Sequence, residues 1–172
     1  QTAATCPTCS GSGQTISNRP PGSDSQGMVQ EEETVSIQIP GGVEDGMQLK
    51  VSGKGNAAPG NGVSGDLIVL IEEHIHDRFM RVGNHLHYDL YVSISEAALG
   101  ISEEFDMLEG KVRIKLEPGI QSGKTLRLRG KGLPDVNRYG TGDLLVHINV
   151  WTPKTLNREQ KQFFQKMMDD EN

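Results

Sequence analysis

Cys6 and Cys9 are the only cysteines among 172 residues. Their spacing within Cys6-Pro7-Thr8-Cys9-Ser10-Gly11-Ser12-Gly13 lets both thiols reach one ion, or each other. Two chemistries follow. A closed structural zinc needs four nitrogen or sulfur ligands, and this pair offers two. A redox dithiol belongs at a helix start in an α/β setting, which Gly11, Gly13 and the period-two pattern further along oppose. His74-x-His76 and His85-x-His87 would each put two imidazoles on one strand face, a candidate zinc or copper pair. The sequence proposes no third ligand for either, and alternating surface residues account for both. Gly53-Lys54-Gly55 and Gly130-Lys131-Gly132 evoke phosphate loops, yet neither has P-loop spacing or opens a helix. Ser, His and Asp are present without a nucleophile elbow.

The elements that must position these residues come in duplicate. Residues 35 to 71 lie over residues 112 to 148 without a gap, at an offset of 77 (112 minus 35). Matches fall on Val35/Val112, Ile37/Ile114, Gly42/Gly119, Gly46/Gly123, Leu49/Leu126, Gly53-Lys54-Gly55/Gly130-Lys131-Gly132, Gly65-Asp66-Leu67/Gly142-Asp143-Leu144, Val69/Val146 and Ile71/Ile148. The repeat keeps turns and core positions but no reactive constellation, so it predicts a binding scaffold rather than an enzyme.

Between Glu31 and Trp151 the apolar period is two, as in Val35, Ile37 and Ile39, in Leu86 to Ile94, and in Val112, Ile114 and Leu116. This predicts strands with one face in a core and an all-β fold. Asp66 to Ile71 and Asp143 to Ile148 are more continuously apolar, the pattern of strands covered on both faces. A short helical turn is predicted from Ser95, as N-cap, to Gly100. From about Asn157 to Asp170 the spacing turns helical. Asn157 with Gln160 resembles a capping box, and Phe163/Met167 and Phe164/Met168 are i,i+4 pairs. That face packs on its own domain or on a partner. The second copy is preceded by about 28 residues, Asn84 to Lys111, that read as strands and a helical turn, whereas the Cys segment precedes the first. A two- or three-strand sheet buries its apolar face poorly, so the first domain is expected to have opening strands upstream of Gln1.

A formal charge of −6 and a pI near 5.3 argue against a sequence-independent duplex-DNA binder, which needs Lys and Arg for phosphates. No apolar run of spanning length and no signal-like N-terminus stands in the sequence. A cytoplasmic setting, with no membrane and no nucleic-acid partner required, is the expectation.

Taken in order, Cys6 to Gly13, Ile39-Pro40-Gly41-Gly42-Val43 with Asp45-Gly46, Gly53-Lys54-Gly55, Gly65-Asp66-Leu67, Ala97-Ala98-Leu99-Gly100, Gly130-Lys131-Gly132-Leu133-Pro134, Gly142-Asp143-Leu144-Leu145 and Leu156 to Lys161 resemble the C-terminal peptide-binding region of the DnaJ-type co-chaperones with a cysteine-rich domain. The family's J-domain is absent; His76-Asp77 lacks its proline. The resemblance implies two β-sandwich-like domains in tandem and a short C-terminal dimerisation helix. The expected segments are 1–29 as a remnant of the cysteine-rich region, 30–83 and 84–153 as the two domains, and 154–172 as the helix carrying Phe163, Phe164, Met167 and Met168. The implied activity is non-catalytic capture of unfolded polypeptide for a DnaK-type chaperone, in folding and the heat-shock response, by a homodimer.

For the site, the resemblance places Phe79 in a first-domain pocket for a client side chain; Ile37 and Leu49 are added as strand positions on aliphatic faces of the same domain. An ordinary core role competes for all three. In the family four C-x-x-C-x-G-x-G elements bind zinc, the first with the fourth and the second with the third. Cys6 to Gly13 suits the third, and the fourth would fall on Pro20 to Gly27, where Pro20 and Ser23 replace cysteines. Zinc is expected in the full-length protein, and in this chain a free Cys6/Cys9 pair or a disulfide formed in handling, without stoichiometric zinc. The alternatives are a zinc-dependent thiol-disulfide oxidoreductase and a purely structural oligomerisation module.

Overall fold

A computed structural model of the chain describes residues 4–9, 11, 13, 15–24, 27–59 and 62–170. Ser10 and Ser12 of the cysteine element, Ser25 and Gln26 of the degenerate element, and residues 171 and 172 lie outside the described residues. The chain divides into two compact units, residues 1–73 and 74–172. The fold is all-β, built from small sheets with two short helices.

In the second unit, β3 (Phe79–Val82), β4 (His85–Ser93), β7 (Thr125–Leu128) and β8 (Leu144–Trp151) form one sheet in the order β3-β4-β8-β7. β4 and β8 run parallel at its centre, and the two outer pairs are antiparallel. β5 (Ile101–Asp106) and β6 (Lys111–Leu116) make a separate hairpin. The alternation read in the sequence is what buries one face: Leu86, Leu90 and Val92 of β4 and Val112, Ile114 and Leu116 of β6 share one core with Leu144, Val146 and Ile148, which are 0 % exposed. Each such burial contributes roughly 1.5–3 kcal/mol.

α1 (Ile94–Leu99) joins β4 to β5. Its N-cap is Ser93, two residues before the Ser95 expected from sequence. The Glu96 carboxylate accepts from Ser93 N–H at 2.7 Å while Ser93 Oγ accepts from Glu96 N–H at 3.3 Å, a complete capping box. Those donors hold the Glu96 carboxyl below its usual range, the Ser93 N–H first and its hydroxyl second. Gly100 ends the helix as predicted, at φ 79°, and a Cβ there would stand 2.8 Å from Leu116 O.

The first unit has one two-stranded sheet among its described residues, β1 (Gln48–Val51) antiparallel to β2 (Leu67–Leu70). The strand predicted through Val35, Ile37 and Ile39 does not form; these residues are not hydrogen-bonded into a sheet. The physical reason lies in the repeat. Their counterpart β6 is a strand paired with β5, and no strand is found among the described residues before 35 to pair with them. β2 is also not covered on both faces as its apolar run predicts: Ile68 and Leu70 are exposed.

The duplication itself is visible in the hydrogen bonds. Gly53 N–H donates to Asp66 Oδ1 at 2.9 Å, and Gly130 N–H to Asp143 Oδ1 at 2.8 Å. Lys50 pairs with Asp66 at 2.6 Å where Arg127 pairs with Asp143 at 2.5 Å. Gly46 to Ile71 O is repeated by Gly123 to Ile148 O, and Gly55 to Gly65 O by Gly132 to Gly142 O. The two Gly-Lys-Gly motifs are thus turns closed by an aspartate rather than phosphate loops: Gly53 and Gly130 take φ of 70° and 67°, where a side chain is strained.

The Gly130 N–H, and after it Arg127, hold the Asp143 carboxyl below its ordinary value, and Lys50 with the Gly53 N–H do the same for Asp66. A depressed folded-state value makes the contribution present above the unfolded pKa, about 4, and lost as pH falls through the folded one. Asp143→Asn should therefore lower the melting midpoint of the second unit at pH 7. In melts repeated toward pH 3 the gap to the unsubstituted chain should close; a gap constant with pH would exclude the charged clamp.

Candidate functional site

The aliphatic face of the first unit is where the two copies part. Leu67, Val69 and Ile71 are half-buried, whereas their equivalents Leu144, Val146 and Ile148 are sealed. Leu49, opposite Val69 in the β1-β2 register, is half-buried with Val51 and Ile37, while Ile39 is 59 % exposed. In the second unit the equivalent residues share a core with side chains of β4, α1, β5 and β6; the first unit has no strand or helix corresponding to these among its described residues. Among the described residues β1 and β2 pair only with each other, which leaves each an edge of backbone N–H and C=O groups there. An extended polypeptide fits such a place. Its backbone adds to the edge whatever its sequence, and alternate side chains reach the aliphatic face.

Sequence reasoning singled out Ile37 and Leu49; both are half-buried, and Leu49 stands in β1 opposite Val69. It did not single out Val51, Leu67 and Val69 for the site, although the repeat carried Leu67 and Val69 as aliphatic positions matched to Leu144 and Val146.

Phe79 stands elsewhere. It opens β3 in the second unit, 4 % exposed, with its ring 5.3 Å from that of its register partner Tyr88, and Tyr88 in turn stacks on Phe105 at 4.5 Å. The His76 ring lies 5.3 Å away on the other side, and His76 Nδ1 accepts from the N–H groups of Arg78 and Phe79 at 3.2 and 3.3 Å. The expectation of a first-domain pocket residue is corrected to a core aromatic of the second unit, because β3 pairs with β4 and carries Phe79 into that core.

Cys6 precedes and Cys9 ends a turn over residues 7–9, and no disulfide joins them. Backbone N–H groups of Cys9 and Thr8, with the Cys9 thiol, hold the Cys6 thiol below its ordinary range. That is the local geometry of a metal knuckle, without the helix start of a redox pair. The matching segment keeps its turn without cysteines: Ser23 N–H and Oγ–H both donate to Pro20 O, at 3.2 and 2.8 Å, and Gly27 (φ 79°) stands where Gly13 (φ 73°) does. Among the described residues no three His, Cys, Asp or Glu side chains gather for a metal.

α2 (Arg158–Asp170) closes the chain. Asn157 and Gln160 form the predicted box reciprocally, Gln160 N–H to Asn157 Oδ1 at 2.8 Å and Asn157 N–H to Gln160 Oε1 at 3.0 Å. No residue of α2 is buried; Phe163, Met167 and Met168 are exposed, and Phe164, half-buried, sets its ring edge-on to Phe163. No helix among the described residues is long and apolar enough to cross a membrane.

The described residues form a duplicated β-scaffold, one copy sealed and the other half-buried. The chain belongs to the DnaJ C-terminal domain family, whose model matches residues 8–153. It is 50 % identical to the chaperone protein DnaJ of Bacteroides thetaiotaomicron over 98 % of this chain and 49 % of that protein. To the chaperone protein DnaJ of Pelagibacter ubique it is 41 % identical, over 98 % of this chain and 45 % of that one. The chain spans about half the length of the curated relatives it matches.

Proposed function

We propose that this chain captures non-native polypeptides as part of a DnaJ-type co-chaperone and presents them to a DnaK-type chaperone. The observation that carries this reading is the match of residues 8–153 to the DnaJ C-terminal domain family, for which the half-buried aliphatic face of β1 and β2 offers a place of contact. Client backbone pairs with the edge of β1 or β2, and Ile37, Leu49, Val51, Leu67 and Val69 receive alternate apolar side chains. Backbone pairing makes the contact tolerant of sequence, and the aliphatic face selects unfolded segments over folded surfaces. The reaction is binding and release. No step passes through zinc, since this chain brings two thiols and not four ligands.

α2 supplies the dimer contact: a two-fold pairing of Phe163, Phe164, Met167 and Met168 would be isologous and would give one client two holding points, raising the effective concentration at the second. The cytosol, where thiols stay reduced, is the compartment that suits Cys6 and Cys9. The test is binding of a fluorescently labelled, permanently unfolded client, followed by anisotropy. Leu49→Asp and Ile37→Asp should each weaken it about tenfold or more, the second in a segment with no strand to disrupt. An oligomerisation module would show no binding at all.

A further inference from the structure

We propose that His87 and His147 form a site for a divalent first-row transition ion of tetragonal preference, copper(II) or nickel(II). His87 lies on β4 and His147 on β8, the parallel pair at the centre of the second unit's sheet, where Asp89 is the register partner of His147. Side chains alternate along a strand, so His87, two residues before Asp89, shares the face of His147 opposite to buried Leu86 and Leu90. His87 Nδ1 stands 2.9 Å from His147 Nε2, and the two rings stack with centroids 5.1 Å apart. Two nitrogens bound to one ion at about 2.0–2.1 Å and at right angles are separated by about 2.9 Å, whereas a tetrahedral angle needs about 3.3 Å. The pair is already spaced as neighbouring ligands of a tetragonal ion.

The surroundings favour the required tautomers. Thr125 Oγ1 on β7 lies 3.0 Å from His147 Nδ1. With the proton on Nδ1 donated to that hydroxyl, Nε2 keeps its lone pair toward His87, an outer partner fixing a ligand ring as in established metal sites. His87 then donates from Nδ1 in the metal-free protein. On binding it loses that proton and takes one up at Nε2, so two neutral imidazoles ligate without net proton release. The Asp89 carboxylate, accepting from Asn149 Nδ2 at 3.3 Å, adds negative charge on the same face. Among the described residues no third His, Cys, Asp or Glu joins the pair, so water completes the shell. Both histidines are half-buried, which leaves the open side of the ion to solvent. An ion held there clips β4 to β8 and stabilises the second unit by mass action.

The experiment titrates nickel(II) into the full chain carrying Cys6→Ser and Cys9→Ser, which removes competing thiolates, and reads heat and melting midpoint. One ion per chain with a raised midpoint is expected, with binding weakened at least about tenfold by His87→Gln or His147→Gln and unchanged by His74→Gln. Ring proton spectra of the chain with all five histidines intact guard against a folding defect in the variants: His87 and His147 should broaden first. Binding that survives both glutamine substitutions, broadening that begins at His74 or His76, or no binding at all would overturn the site.

Discussion

Phe79→Ala should cost the second unit about 3–5 kcal/mol, the usual penalty for truncating a buried phenylalanine. The ring fills the end of the β3-β4 ladder between His76 and Tyr88, with Tyr88 stacked on Phe105 behind it. Arg78 lies over the Phe79 ring at 5.7 Å and donates to Asp106 O at 2.9 Å, so the cavity would also loosen a cation-aromatic contact. A loss of that size is a large part of the stability of a unit this small. Thermal unfolding should show a second-unit transition displaced far downward or absent. An unchanged transition accompanied by weaker client binding would instead restore Phe79 to a pocket.

The second large effect belongs to α2. A 13-residue helix is marginal in water unless its apolar stripe is packed, and here none of its residues is buried within the chain. Phe163→Asp with Met167→Asp puts two charges into the contact, four across a two-fold interface. Burial of each lost side chain is worth about 1.5–3 kcal/mol, so dimer dissociation should rise by well over a hundredfold. Sedimentation equilibrium should find the unsubstituted chain dimeric and the variant monomeric at micromolar concentration, with both units melting as before. A monomeric unsubstituted chain at high micromolar concentration would exclude the contact.

The repeat, read as letters, foretold hydrogen bonds: the offset of 77 that aligns Gly53 with Gly130 and Asp66 with Asp143 aligns the same N–H to carboxylate bond in both units. Strands with long alternation, β4 and β6, were legible because one face had to be buried, and Gly100 and the Asn157/Gln160 box marked helix ends by their own chemistry. Of the four-residue strands, β1 was read only at Leu49, and β3 and β7 were not singled out, being too short for period two to stand apart from a turn. Val35 to Ile39 misled for the opposite reason: its alternation is sound, but a strand also needs a neighbour, and no local pattern reports whether one is supplied. Phe79 misled because an aromatic on the alternate face of a short strand looks the same whether it lines a pocket or fills a core. The His87/His147 pair was invisible from spacing along the chain, since 60 residues separate partners that only the β4-β8 register brings together.

Amide hydrogen exchange with and without a saturating unfolded client tests the central claim most directly, because it reports where backbone pairing occurs. Protection should appear at Gln48–Val51 and Leu67–Leu70, with the second unit's β4-β8 ladder unchanged. Client binding that protects only the second unit, or leaves β1 and β2 exchanging at their free rate, would contradict capture on the half-open face.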